Sequence, residues 1–497
     1  MKCVVLGAGV AGLVAALELQ KRSCEVTLIE AGPRAGGRTS SWSSASGLES
    51  GTGLHVVADH YVNLLDVLRG VDALGQIVWW HRHQYLRPAH PAVIWRYNSL
   101  PAPFHLLHAA RTMPVRGALR LSLLRAGVEA AGYRQSDLSA LDDIPYMEWH
   151  ESHRLGDGFI RDLADLAADA ATFLPLDRVA ARPVLSWLKY MSRNSAAGRI
   201  GTWRLPLYEG LVAPLVRAFG NRGGTLLTSV AVRRLEIRSG TVASVVVSPS
   251  TADRPFYQAA GAPPLAGPER VIPCESVISA LPVQALRTVL DSDLACRAGL
   301  CDALKLTTTP AVSAVIRFDR NLAARLSGAP LATGCVFRDF ADRSSPSAPD
   351  GHSDLQFLMS RAEQWIEESD QTIVDAIVRD FSSVWPSAQG AVPVDATVER
   401  IGSAMFAAVP GAHRLRPPTE TAIPNLFLAG DWIRHDCNAS MEGAALSGRL
   451  AARAALRAAG RESAGSPVPV LHPEEPLFCR VLQRCARPVR YAAGGVS

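Results

Sequence analysis

Three glycines, Gly7, Gly9 and Gly12, fall at the spacing Gly-x-Gly-x-x-Gly directly after a short apolar run at 3–6. That spacing suits a strand, a tight turn and a helix that together hold a dinucleotide. Gly7 permits the turn. Gly9 has no Cβ and lets a pyrophosphate reach the backbone. Gly12 lets helix and strand pack closely. Val10 and Ala11 open the helix, whose unpaired N–H groups and partial positive charge suit phosphates. A second apolar run at 25–29 ends in Glu30-Ala31, where a carboxylate can accept a ribose hydroxyl. Gly36-Gly37-Arg38 follows, and glycine backbone with a guanidinium can wrap an anion. An ordinary surface turn with a solvated arginine is the competing reading of that last piece.

A second constellation lies near the other end. The apolar run at 423–429 closes in Gly430-Asp431, and Ser440-Met441-Glu442 opens a small-residue helix. Gly430 allows close approach of a ligand. Asp431 can accept hydrogen bonds from a polyol chain or water. The helix N-terminus can direct its dipole at a ring that gains negative charge.

Taken together, Gly-x-Gly-x-x-Gly, Glu-Ala and Gly-Gly-Arg resemble the flavoprotein family of amine oxidases and carotenoid-type desaturases, which implies FAD as cofactor. The late Leu-Ala-Gly-Asp and Ser-Met-Glu-Gly-Ala-x-Leu-Ser-Gly-Arg pattern is more similar to plant-type phytoene and ζ-carotene desaturases. Ser50-Gly51-Thr52-Gly53-Leu54-His55 resembles the segment by which those enzymes pass the flavin ring. The resemblance implies that Gly53, Leu54 and His55 lie near the ring and that Val232 lies beside the adenine. His55 is the one catalytic candidate; a hydrogen-bonded structural histidine is the equal alternative, and no spacing makes it a base. The sequence contains no trusted carboxylate pair or triad and no metal site.

The elements that must position these residues follow from periodicity. Apolar runs at 3–6, 25–29, 225–227, 277–281 and 423–429 read as buried strands, and 230–237 with 242–247 alternates as a hairpin. Helical patterns occupy 61–68, 146–149, 159–171, 184–188, 206–219 and 372–381. Residues 249–268, rich in Pro, Ala and Gly, read as a mobile insertion. The expected class is α/β: a two-lobed flavoprotein with a discontinuous Rossmann-like FAD domain and a mixed helix–sheet substrate domain. Its FAD-binding pieces are 1–88, 201–285 and 401–458. Residues 89–200 form a helical, substrate- or membrane-facing region, 286–400 the second substrate piece and 459–497 a tail without an assigned role.

Residues 100–127 carry Arg111, Arg116, Arg120 and Arg125 among leucines, after Leu100-Pro101-Ala102-Pro103. Such a stretch is either a core helix pair with a solvated basic edge or a peripheral membrane contact. The Leu-Pro-Ala-Pro entry resembles the desaturases and the bacterial hydroxysqualene dehydroxylases. The resemblance implies a desaturase or dehydrogenase that passes a hydride from an apolar polyprenyl or carotenoid-like substrate to flavin N5. A quinone or oxygen then takes the electrons. A dehydroxylase-type reductase and a flavin amine oxidase are the alternatives.

Bulk properties fit a folded enzyme. With 497 residues the chain can bury two or three cores, and 48% hydrophobic against 20% charged content excludes disorder. A net charge of +5, from 51 basic and 46 acidic residues, gives no argument for a nucleic-acid partner. Nine scattered cysteines without a C-x-x-C pair suggest neither zinc nor a disulfide framework, and a reducing, cytoplasmic location. No apolar run approaches the length of a membrane span.

Overall fold

The computed structural model describes residues 1–96, 100–112, 117–156, 158–193, 199–254, 263–323, 326, 328–344, 351–462 and 467–485. At its centre is a five-stranded parallel sheet. Strand Lys2–Leu6 lies between Glu25–Ile29 and Ser276–Ser279, and Thr225–Leu227 and Leu426–Leu428 form the edges. Alternation along the first strand sorts its side chains. Cys3 and Val5 join a core with the helices Val10–Gln20, Ala213–Asn221 and Met441–Ala458. Val4 and Leu6 face the antiparallel strands Val230–Arg238, Thr241–Pro249 and Arg270–Pro273. The first helix is apolar around its whole circumference because both sides are covered, by the sheet and by the late helix.

Two glycines set that packing. A Cβ on Gly12 would lie 1.9 Å from the Gly7 carbonyl oxygen, and one on Gly448 would lie 2.4 Å from that of Ala11. Close helix–strand approach was the role expected of Gly12, and no other residue fits there.

The second lobe is a mixed seven-stranded sheet in the order Pro393–Phe406, Thr308–Phe318, Ser353–Met359, Asp339–Asp342, Ala329–Ala332, Arg82–Arg87, His90–Arg96. One face packs Phe318, Phe337, Phe340 and Phe357 against Phe381 and Trp385, at and just beyond the helix Asp370–Val384. The other presents Ala311, Leu358, Ile401 and Ala404 to the first lobe. The expected boundary at 88/89 falls inside the turn of the hairpin Arg82–Arg87 and His90–Arg96, and that at 400/401 inside the strand Pro393–Phe406.

A helical subregion, chiefly Ala118–Gly132, Tyr146–Ser152, Phe159–Thr172 and Ala181–Arg193, forms a separate apolar core. The tail is also ordered where described. Helix Leu477–Cys485 packs on Ala118–Gly132, and the Leu471 N–H donates to Asn63 Oδ1 at 3.0 Å. Residues 113–116, which include Arg116, and 255–262 of the expected insertion lie outside the described residues.

The cysteine reading needs a correction. Cys296 and Cys301 form a disulfide, because the chain turns back at Gly299 (φ +75°) just after the helix Ser292–Arg297 and brings the two Cα atoms to 5.0 Å. Spacing of this kind carries no recognisable motif.

Candidate functional site

A cleft of about 320 Å³ runs between the lobes, and both ends of the chain build it. Gly7, Gly9, Val10, Ala11, Glu30, Ala31, Gly36, Gly37 and Arg38 line it from the first βαβ unit. Gly53, Leu54, His55 and Val232 line it from the middle, and Gly430, Asp431, Ser440 and Met441 from the late turn and helix. Gly12 sits behind the wall, in the helix–strand contact.

The polar geometry suits a dinucleotide. No side chain caps the N-terminus of Val10–Gln20, so its first N–H groups remain for a ligand. Glu30 accepts the Ala8 N–H at 3.0 Å and the Gly32 N–H at 2.9 Å, which fixes its carboxylate at the strand end. Burial pushes its pKa up to about 7, against those two hydrogen bonds. Gly430 adopts φ +136°, a conformation that a side chain rarely takes, and its N–H donates to Ser447 Oγ at 2.8 Å.

Arg38 and Asp431 meet across the chain's length. The guanidinium makes a two-pronged pair with the carboxylate, at 3.1 and 2.5 Å, and also donates to the Ala404 carbonyl at 2.7 Å. Both were expected to serve a ligand separately; instead each is the other's partner while lining the cleft. The pair clasps the Gly-Gly-Arg loop to the Gly-Asp turn.

Glu442 is a correction. Its carboxylate accepts the backbone N–H of Asn63 and Leu64 and the Asn63 amide, at 2.8–3.0 Å, so it caps the helix Val62–Arg69 and does not enter the cleft. One position along a helix turns a side chain by about 100°, which carries Glu442 away from the face of Met441. Arg449, fully buried, ties the same region together through Asn63, Asp66 and Glu18.

His55 lines the cleft with Nε2 at 3.4 Å from Thr52 Oγ1, and its carbonyl accepts the Trp203 indole N–H at 2.8 Å. Desolvation depresses its pKa to about 4, and the cations of Arg38 and Arg343 press the same way. The ring is therefore neutral at neutral pH.

A second cavity of about 660 Å³ adjoins the cleft. Val56, Tyr61, Ala170, Arg338, Ala439 and Ser440 line both spaces and mark where they meet. One face of Phe159–Thr172 supplies Ile160, Leu163, Ala164, Ala167 and Ala171 to its wall; Val184, Trp187 and Leu188 come from the next helix. Arg338, at the junction, pairs with Asp339 at 2.8 Å and lies over the Phe173 ring. Neither Arg338 nor the tail residues Leu471 and Glu475, which close the far wall, stood out in the sequence. An arginine just before a short strand and one of two adjacent glutamates carry no local signal.

A family profile described as flavin containing amine oxidoreductase matches residues 10–456. The chain is 25% identical over 490 residues to a probable zeta-carotene desaturase of Synechococcus elongatus, covering 92% of this chain and 99% of that protein. It is 24% identical over 477 residues to the 15-cis-phytoene desaturase of Solanum lycopersicum, covering 92% and 78%. Among solved structures it is similar in fold to an oxidoreductase from Methanosarcina mazei (TM-score 0.66, 18% identity, 90% and 99% covered). It is also similar to cyclohexylamine oxidase from Brevibacterium oxydans (TM-score 0.62, 16% identity, 92% and 99% covered).

Proposed function

Because this chain belongs to the flavin containing amine oxidoreductase family and is an FAD-dependent oxidoreductase, we propose that it desaturates or dehydrogenates an apolar, polyprenyl or carotenoid-like molecule. The observation that carries this reading is the junction: the dinucleotide cleft and the 660 Å³ cavity share the walls formed by Tyr61, Arg338 and Ser440. A substrate held in the second space therefore lies against whatever ring occupies the end of the first.

The residues of the cleft fit FAD. The uncapped helix start beside Gly9 would hold the pyrophosphate and Glu30 a ribose; Val232 would flank the adenine, and Gly53, Leu54 and His55 the ring. When bound, FAD supplies a two-electron acceptor for a hydride, with a quinone or oxygen taking the electrons onward. The protein's own part is to position and to keep water out. Ile160, Leu163, Ala167 and Trp187 orient an apolar chain by shape and desolvation. His55, held neutral, offers a hydrogen bond without a charge. Forming a double bond removes a hydride from one carbon and a proton from its neighbour, so a proton acceptor, water or a cleft side chain, completes the step.

The helices of the cavity wall also carry an exposed apolar surface. Phe104, Leu107 and Leu121 are exposed, at 58%, 44% and 69%, on helices that also send Leu106 and Leu123 into the cavity wall. Arg111, Arg120 and Arg125 are exposed beside them. The described residues of the stretch 100–127 thus suit headgroup contact, with the substrate passing from bilayer to cavity. Among the described residues no helix is long and apolar enough to cross a membrane. Anaerobic mixing of the FAD-loaded protein with phytoene-like lipids and, separately, with alkyl amines tests the function. Bleaching of the flavin by the lipids is expected; bleaching by amines alone would overturn it.

A further inference from the structure

The 660 Å³ cavity is not uniformly apolar. Lys189 and Arg193, one turn apart on Ala181–Arg193, both reach the same carboxylate oxygen, Glu475 Oε1, at 3.3 and 2.9 Å. All three line the cavity, and both cations are about nine-tenths buried. Two cations share one carboxylate, so a positive charge is left over. Arg193 Nε and Nη1 are buried without a hydrogen-bond partner. The Glu442 carboxylate on the same cavity is already engaged by Asn63 and Leu64. Leaving a charged donor buried and unmet is unfavourable, and a pure hydrocarbon in the cavity would leave it so.

The cationic corner is linked to the junction by rings. The Arg193 guanidinium lies 4.8 Å over Tyr190, Tyr190 stacks on His60 at 4.5 Å, and His60 abuts Tyr61, which lines both cavities. A ligand with its polar end at Arg193 would lay its chain along the apolar helices with part of it at the junction.

Resting on the reading of this cavity as the substrate chamber, we infer that the substrate is an amphiphile: an apolar chain ending in an anionic oxygen group, a carboxylate or a phosphate, held by Lys189 and Arg193. Charge-assisted hydrogen bonds from the Lys189 and Arg193 head groups give an anionic end about tenfold or more in affinity over a neutral one.

The test uses the FAD-loaded protein and four probes: palmitate, hexadecyl phosphate, hexadecanol and hexadecane. Binding is read from quenching of tryptophan fluorescence, since Trp95 and Trp187 line the cavity. One or both anions should bind about tenfold tighter than hexadecanol, and the tighter of the two identifies the end group. Arg193→Gln and, independently, Lys189→Gln should reduce the anions to the level of hexadecanol while hexadecanol itself is unchanged. If Arg193→Gln fails to retain FAD, Lys189→Gln decides. Equal binding of hexadecanol and the anions, or an anion preference that survives Lys189→Gln, overturns the inference and leaves the apolar chamber standing. Binding of none of the four by FAD-loaded protein overturns both.

Discussion

Two glycines of one motif should fail in different ways. A methyl group at Gly9 meets only the Gly36 carbonyl oxygen, at 3.9 Å, and the backbone there is extended (φ −74°, ψ −178°), which alanine adopts freely. Gly9→Ala should therefore fold with a stability within about 0.5 kcal/mol of the parent. Its methyl would nevertheless occupy the approach to the uncapped helix start, so FAD affinity should fall about tenfold or more, or 1.4 kcal/mol. Gly12→Ala is the reverse case. Its methyl would sit 1.9 Å from a backbone oxygen and 3.3 Å from Ala280 Cβ, so the first helix must move off the sheet. Overpacking of this kind costs about 1–3 kcal/mol, here at the upper end because the obstacle is backbone. Urea unfolding of the apo proteins and FAD titration by fluorescence separate the two effects. A Gly12→Ala protein as stable as the parent, or a Gly9→Ala protein with undiminished FAD affinity, would refute the assignment of backbone contact to Gly9 and packing to Gly12.

Other outcomes follow from the cleft and its supports. Asp431→Asn should release Arg38 and lower both FAD occupancy and stability, by about 2 kcal/mol given the part-exposed guanidinium; Arg38→Gln added to it should cost less than the sum of the singles, as a double-mutant cycle would read. Arg449→Met removes the buried link to Asn63 and Asp66, while Glu18 keeps Lys21 and Arg22 and Asn63 Oδ1 keeps the Leu471 N–H, so stability should fall by about 1–2 kcal/mol in thermal unfolding. The Glu30 pKa, raised to about 7 by burial, gives two opposite pH effects. The folded apo chain prefers the protonated acid, so this group's contribution to stability is full below the unfolded value near 4.5 and is lost as pH rises through 7. A ribose hydroxyl needs the ionised acceptor, so FAD affinity should rise over pH 6–8, and Glu30→Gln should flatten the titration. Phe104→Asp with Leu121→Asp should abolish sedimentation with anionic liposomes while FAD content stays unchanged; sedimentation equal to the parent would sink the membrane contact.

Much of the nucleotide lobe was legible because its signals are local. Gly7, Gly9 and Glu30 are fixed by a strand, a turn and a helix that neighbours in sequence supply. The late motif was equally readable, since Gly430 and Ser440 mark a strand end and a helix cap. What the motif could not say was which way each side chain turns, and Glu442 faces the helix at 62 instead of the cleft. The second cavity was expected only through the helical, substrate- or membrane-facing region at 89–200. Its cationic corner depends on Glu475, nearly three hundred residues from Lys189, and such a meeting leaves no periodicity to read. The Arg38–Asp431 pair was invisible for the same reason, although both residues were singled out.

The clasp between Arg38 and Asp431 carries a consequence for biogenesis. One of the two strands beside Lys2–Leu6 is Ser276–Ser279, and the floor of the cleft waits for Gly430. During synthesis the opening βαβ unit must therefore persist half-covered while some four hundred residues emerge, its apolar flank open to wrong partners. Free FAD has little to grip in that interval, so loading belongs to the final stage of maturation, and slow translation of the last third would lengthen the period of risk.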